Sequence, residues 1–145
     1  MLDTCVLLEL LQSDSPFRQQ VHKTVEQVES GGKAACCIAE PCLAEVWNVL
    51  TRPPIMNGFG YASHKARNLI DALVDQYPLL EMRHDHTPSW LDVASGYGLT
   101  GQHVRHARLV STMMAHGVSQ LIRVSDEEFP EIGGIRVLQV GMALV

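Results

Sequence analysis

Acidic side chains stand in three well-separated segments of this 145-residue sequence. Asp3 follows a short apolar stretch, Glu45 lies in the segment 44–53 (AEVWNVLTRP), and Glu127 and Glu128 belong to the segment 125–129 (SDEEF). Carboxylate oxygens from separate segments suit Mg²⁺ or Mn²⁺, which prefer hard oxygen ligands. A bound ion of this kind can activate water for attack on a phosphodiester, so these residues predict metal-dependent phosphodiester hydrolysis.

The predicted elements decide whether these acids can meet. Asp3 closes a first short strand, and Glu128 follows the fourth predicted strand. In an open parallel sheet, functional groups gather beyond the carboxyl ends of the inner strands, so these two acids meet if the first and fourth strands are neighbours. Glu45 lies close to the apolar face of a helix, where a carboxylate needs a partner to offset its desolvation. Either a divalent cation or an arginine can be that partner.

Short apolar runs alternate with longer amphipathic ones along the whole chain. This alternation predicts an α/β fold with a parallel sheet, in one domain over 1–145. Strands are predicted over 1–3, 34–38, 79–82, 118–124 and 135–140. Helices are predicted over 6–11, 16–30, 41–52, 62–76, 88–96 and 101–116, where apolar residues recur at helical spacing and Pro or Gly stands at several of the ends.

Composition and charge limit the class of protein. The chain is 46% hydrophobic with a formal net charge of −5, so it does not have the basic character common in nucleic-acid-binding domains. Positive charge is concentrated in the last third, at Arg105, Arg108 and Arg123, which equally fits a solvated helix face. No apolar run is long enough to cross a membrane and the N-terminus has no signal-peptide pattern, so a cytoplasmic location is expected.

The four cysteines do not follow a metal-binding pattern. Cys36 and Cys37 are adjacent and Cys42 follows five residues later, which is not the paired C-x-x-C spacing of a zinc site. Reduced, buried cysteines are therefore expected. A nucleotide-binding α/β protein fits poorly, because no G-x-G-x-x-G or G-x-x-x-x-G-K-[ST] motif follows any predicted strand.

The short motifs together resemble a known family. They look like a PIN domain and, within that family, the VapC-type ribonuclease toxins of bacterial toxin–antitoxin pairs. The resemblance covers nearly the whole chain, and its motifs are 2–5 (LDTC), 44–53 (AEVWNVLTRP), 105–110 (RHARLV) and 125–129 (SDEEF). It implies a three-layer α/β/α fold with a parallel five-stranded sheet, an endoribonuclease site dependent on Mg²⁺ or Mn²⁺, a small antitoxin partner and a homodimer.

Carried over residue by residue, the resemblance implies a site with two departures. Asp3 matches the first acid of the family and Glu45 the second. The third acid, which precedes an Ala-Arg pair, is replaced by His106. After the fourth strand the family has Asn or Asp and then an Asp before Phe, where this chain has Ser125 and Glu128. The implied metal ligands and catalytic residues are therefore Asp3, Glu45, His106 and Glu128.

Other positions complete this expected site. Arg105 and Arg108 are the expected contacts to RNA phosphates. Cys5 stands where Asn commonly follows the Asp-Thr of the first motif, and it could join His106 in a softer, zinc-like site. The first strand before Asp3 is shorter than in the family's usual pattern. An upstream start codon that extends this strand is therefore a further expectation.

The histidine at 106 leaves the activity open. Imidazole can still bind a divalent ion, but it favours Mn²⁺, Zn²⁺, Fe²⁺ or Ni²⁺ over Mg²⁺. It can also exchange a proton near a phosphate, or belong to a vestigial site or plain helix face. Two hypotheses follow. The chain is either a metal-dependent endoribonuclease or a catalytically degenerate PIN scaffold that binds protein or RNA. We favour the first as the class of protein, and leave open whether this chain is active.

Overall fold

The sheet of this protein is parallel and is centred on a single N-terminal residue. The structure is a computed structural model and describes residues 1–32 and 35–141. Strand β1 (Ile38–Ala39) pairs in parallel with β2 (Leu79–Leu80), and β3 (Gln120–Arg123) pairs in parallel with β4 (Arg136–Gln139). Leu2 forms parallel bridges to Ile38 and to Ile122, which joins the two pairs. The order β2, β1, Leu2, β3, β4 gives the five parallel positions that were predicted.

Six α-helices surround this sheet in the part of the chain that the structure describes. They are α1 (Thr4–Leu11), α2 (Arg18–Ser30), α3 (Glu40–Thr51), α4 (Ser63–Gln76), α5 (Trp90–Gly96) and α6 (Val104–Ala115). Short 3-10 turns at Pro54–Met56 and Gly101–His103 complete the regular structure. The predicted α/β class is confirmed, and no described helix has the length and apolarity that a membrane span requires.

The first strand is shorter than predicted because a helix begins directly after it. Asp3 has extended backbone angles and its Oδ1 accepts a hydrogen bond from Thr4 N at 2.8 Å, which caps α1. The N–H of Asp3 still donates to the Ile122 carbonyl at 3.0 Å, and the chain then turns directly into α1. The second predicted strand, 34–38, begins only at Ile38 and runs to Ala39, and residue 34 lies outside the described residues.

Four predicted helix starts were wrong by two or three residues, and the first of these helices, α1, begins at Thr4 instead of residue 6. The second helix begins at Arg18, and Ser15 instead accepts a hydrogen bond from Phe17 N at 3.2 Å in the preceding turn. Helix α5 begins at Trp90, because Ser89 and Asp92 form a capping box. Helix α6 begins at Val104, after the 3-10 turn.

One main core and one smaller core hold these elements together. In the main core, Leu2 and the helix residues Val6, Leu7, Val46 and Leu50 are at most 1% exposed. Full burial of such a side chain stabilises the fold by roughly 1.5–3 kcal/mol. A second cluster lies under α5 and α6 and contains Val93, Ala107, Val110 and Ile132.

The cysteines are free thiols, as the sequence predicted. Cys36, Cys37 and Cys42 are buried, and Cys5 is half-buried.

The carboxyl ends of Leu2, β1 and β3 lie side by side in the sheet. Because α1 and α3 leave directly from two of these ends, that edge collects side chains from several chain segments.

Candidate functional site

A cavity of about 320 Å³ opens at the carboxyl edge of the sheet. It brings together Asp3, Glu45, His106 and Arg105 among the sequence-predicted site residues. The other residues that line it are Thr4, Cys5, Leu8, Pro41, Cys42, Asn48, Val49, Arg52, Leu109, Arg123 and Ser125. Four of the residues predicted for the site therefore lie around one cavity.

Asp3 is paired with a buried arginine. Arg123 Nε donates to Asp3 Oδ2 at 2.6 Å, and the two side chains are 3% and 10% exposed respectively. The other carboxylate oxygen, Oδ1, accepts from Thr4 N. Both oxygens of the first acid are therefore occupied by donors from the protein itself.

Glu45 reaches the same cavity from α3. Thr4 Oγ1 donates a hydrogen bond to Glu45 Oε2 at 2.9 Å, so the second acid is tied to the first turn of α1. Burial raises the pKa of Glu45, while the Thr4 hydrogen bond and the charges of Arg105 and Arg108 oppose that increase. The side chain is a partly desolvated carboxylate at the wall of the cavity.

His106 is a buried imidazole with an unused nitrogen. The residue is 3% exposed, and its ring packs against Phe129 with centroids 4.8 Å apart and against His103 at 5.6 Å. Its Nδ1 has no hydrogen-bond partner among the residues that the structure describes. Burial first, and then the charges of Arg123 and Arg105, lower the pKa of His106 to about 4. The ring is therefore neutral at pH 7.

Cys5 is a poor candidate for a metal ligand. Burial, followed by the negative charge of Asp3, raises the pKa of the Cys5 thiol to about 12. Its sulfur accepts a hydrogen bond from Val124 N at 3.3 Å. Because thiolate is the metal-binding form, the zinc-like site considered for Cys5 and His106 is disfavoured.

The acidic segment after β3 is divided between two places. Ser125 lines the cavity, and its Oγ accepts from Glu127 N at 3.1 Å. Glu127 forms an ion pair with Arg105 at 2.9 Å. Glu128 is exposed and lines a different groove, together with Phe129. The structure thus does not bring Glu128 together with Asp3 and Glu45, and its role as a ligand stays a prediction.

The two arginines of α6 lie where Glu45 meets the surface. Arg105 and Arg108 line a smaller pocket of about 170 Å³ together with Glu45 and Asn48. Both side chains are half-buried, and the guanidinium group of Arg105 also pairs with Glu127.

The side chains of the cavity do not fit a divalent metal. Over residues 1–32 and 35–141, no three His, Cys, Asp or Glu side chains come close enough together to hold an ion. Among the described lining residues, two carboxylates (Asp3 and Glu45) face three guanidinium groups (Arg52, Arg105 and Arg123). A divalent cation in this cavity would be repelled by these guanidinium groups. Asp3, which would be its first carboxylate ligand, is already paired with Arg123.

Two contributors to the site were missed from the sequence. Arg123 was noted only as part of a positive region, and Thr4 was not singled out. A usable signal did exist, because Arg123 interrupts the apolar run 118–124 that predicts a buried strand. A buried arginine requires a carboxylate partner, and the end of the neighbouring first strand offers one in Asp3.

The structure is an α/β domain with a polar cavity at the carboxyl edge of its parallel sheet. The chain belongs to the PIN domain family, whose model matches residues 1–135. Its fold is similar to a chain in the crystal structure of VapBC2 from Rickettsia felis bound to a DNA fragment from their promoter. The TM-score is 0.67 over 97% of this chain and 98% of that chain, at 12% identity. No curated protein matches the sequence.

Proposed function

We propose that this chain is the PIN domain partner of an antitoxin in a VapBC-like pair, and that its cavity binds RNA without cleaving it through a metal ion. One observation carries the proposal: the buried 2.6 Å ion pair between Arg123 and Asp3 at the acidic site. It supports the degenerate scaffold over the metal-dependent endoribonuclease. The antitoxin partner is supported by the likeness to a chain of a VapBC2 structure.

The charges at the cavity favour a polyanion. Arg105 and Arg108 form a half-buried rim around Glu45, and Arg52 is a further guanidinium in the cavity, whereas the charge of Arg123 is balanced by Asp3. Phosphate diesters are the anions that arginine forks match well, and such contacts bind nucleic acid with little dependence on base sequence. RNA is therefore the ligand class that best fits this rim.

The same residues are poorly suited to cleaving RNA on their own. A general base works best when its pKa lies near the operating pH. The pKa of His106 is lowered to about 4, so its neutral ring is a weak base at neutral pH. Asp3 is held by Arg123 and cannot turn towards a water without breaking that pair.

A divalent-metal-dependent endoribonuclease is the second candidate. One observation favours it: Asp3, Glu45 and His106 line the same cavity, as the family resemblance implies. In that case Mg²⁺ or Mn²⁺ would be the cofactor. A homodimer and a cytoplasmic location are part of both candidate functions.

RNA binding in the presence of a chelator tests the proposal. Fluorescence anisotropy of a short labelled single-stranded RNA should show saturable binding in EDTA, and added Mg²⁺ should not strengthen it, because Mg²⁺ only competes with the arginines for phosphate. Arg105→Gln should weaken binding about tenfold, because it removes one charged contact. The matched control is Arg67→Gln, which removes an exposed arginine that pairs with Asp71 on α4. Absence of binding, or binding only with metal, would contradict the proposal.

A further inference from the structure

We propose that Arg123 is a built-in counter-ion that stands in for a divalent cation at Asp3. The positive charge that the acidic site requires is then part of the polypeptide, and a metal site can return only if Arg123 is removed. This inference concerns the cavity of the proposed function, but it does not depend on whether RNA binds there.

The burial of the pair makes a counter-ion necessary. Asp3 lies at the inner end of the cavity between Leu2 and α1, where an unpaired carboxylate would be strongly disfavoured. Arg123 Nε meets Asp3 Oδ2 at 2.6 Å, the short distance of a charge-assisted hydrogen bond. Thr4 N occupies the other oxygen. A metal at Asp3 would therefore have to share an oxygen with one of these donors or displace it.

The guanidinium group is fixed from several sides. Its Nη1 donates to the Glu127 carbonyl at 3.4 Å, and its central carbon lies 5.0 Å from the centroid of the Phe129 ring. The backbone of Arg123 is paired on β3, next to Leu2. A side chain that is held by an ion pair, a carbonyl and an aromatic ring does not swing away to admit an ion.

His106 and Arg123 lie against the same aromatic ring and line the same cavity. Both contact Phe129, the imidazole at 4.8 Å and the guanidinium carbon at 5.0 Å from the ring centroid, and both line the cavity. A carboxylate introduced at 106 would therefore face a guanidinium that already lies beside it. We infer that His106→Asp alone creates a further ion pair with Arg123, and that recovery of a metal site requires both changes.

A double-mutant cycle on thermal stability tests the counter-ion role. Asp3→Asn keeps a capping side chain on α1, and Arg123→Met keeps an apolar stem against Phe129. Each single variant should lower the Tm, by about 10 °C for Arg123→Met, because it leaves a buried charge unpaired. The double variant should be more stable than Arg123→Met alone. Strictly additive losses would overturn the proposal.

Calorimetric titration with Mn²⁺ tests the link to metal binding. The wild type and His106→Asp should show no saturable site. His106→Asp/Arg123→Met should bind Mn²⁺ roughly tenfold or more tightly than the wild type, with a Tm that rises on adding Mn²⁺. Adding Asp3→Asn to that variant should abolish the gain. If it does not fold without metal, refolding in Mn²⁺ gives the same readout.

Several results would contradict the counter-ion. They are Asp3-dependent Mn²⁺ binding by the wild type, a site created by His106→Asp alone, and no gain of binding on removing Arg123. If the His106→Asp/Arg123→Met variant does not fold at all, the double-mutant cycle of Asp3 and Arg123 on thermal stability still tests the counter-ion role. If the stability and Mn²⁺ experiments give the expected results but the wild type does not bind RNA, only the proposed function is overturned.

Discussion

At the scale of single residues, one ion pair changes the chemistry of the site. A sequence with Asp3 and Glu45 in family positions predicts metal ligands, and both acids do line the cavity. Their contacts are nevertheless to protein groups, Arg123 and Thr4. The sequence could not show this, because the partner of Asp3 lies 120 residues away and is set by the pairing of Leu2 with β3.

The buried His106 predicts a pH dependence of stability. Its folded pKa of about 4 lies below the ordinary value of 6.5, so the unfolded chain binds more protons between these two values. The free energy of unfolding should therefore fall as the pH drops from 6.5 to 4, by up to about 3 kcal/mol from this group, and should be unaffected above 6.5. Urea unfolding across this range should show a smaller fall for His106→Gln.

The control for this pH dependence is His64→Gln, which replaces an exposed histidine on α4. It should follow the wild-type curve. If His106→Gln and His64→Gln show the same pH dependence as the wild type, the imidazole at 106 is not buried in a neutral form.

At the scale of elements, the sequence predicted which segments form strands and helices better than where they begin. All five strand segments are found, but the first consists of Leu2 alone. Apolar runs mark what is buried, whereas the ends of elements depend on caps, as Asp3 ends the first strand by starting α1. The same carboxylate caps a helix and pairs with Arg123, so the short first strand and the site have a common cause.

Leu2 should be unusually important for the stability of the sheet. It is fully buried and is the residue that joins β1 to β3. Leu2→Ala should lower the free energy of unfolding by about 2–5 kcal/mol, because it leaves a cavity in the main core. Urea denaturation measures this loss. Leu91→Ala, at a leucine that is 61% exposed on α5, should cost far less, and equal losses would contradict this role for Leu2.

At the scale of the whole molecule, an acidic protein has a cavity in which carboxylates are balanced by arginines. The formal net charge is −5, and yet guanidinium groups outnumber carboxylates among the described residues that line the cavity. The family could be predicted from motif spacing, because motifs place residues at the same edge of the same fold. The chemistry of the site could not, because it depends on which charges that edge brings into contact.

If Arg123 takes the place of a catalytic metal at Asp3, this PIN domain should not cleave RNA. Incubation of a labelled single-stranded RNA with excess protein, in Mn²⁺ or in EDTA, tests it most directly, with the products resolved on a denaturing gel. We expect the RNA to remain intact in both conditions. RNA cleavage that appears with Mn²⁺, disappears in EDTA and is lost in Asp3→Asn would contradict the claim.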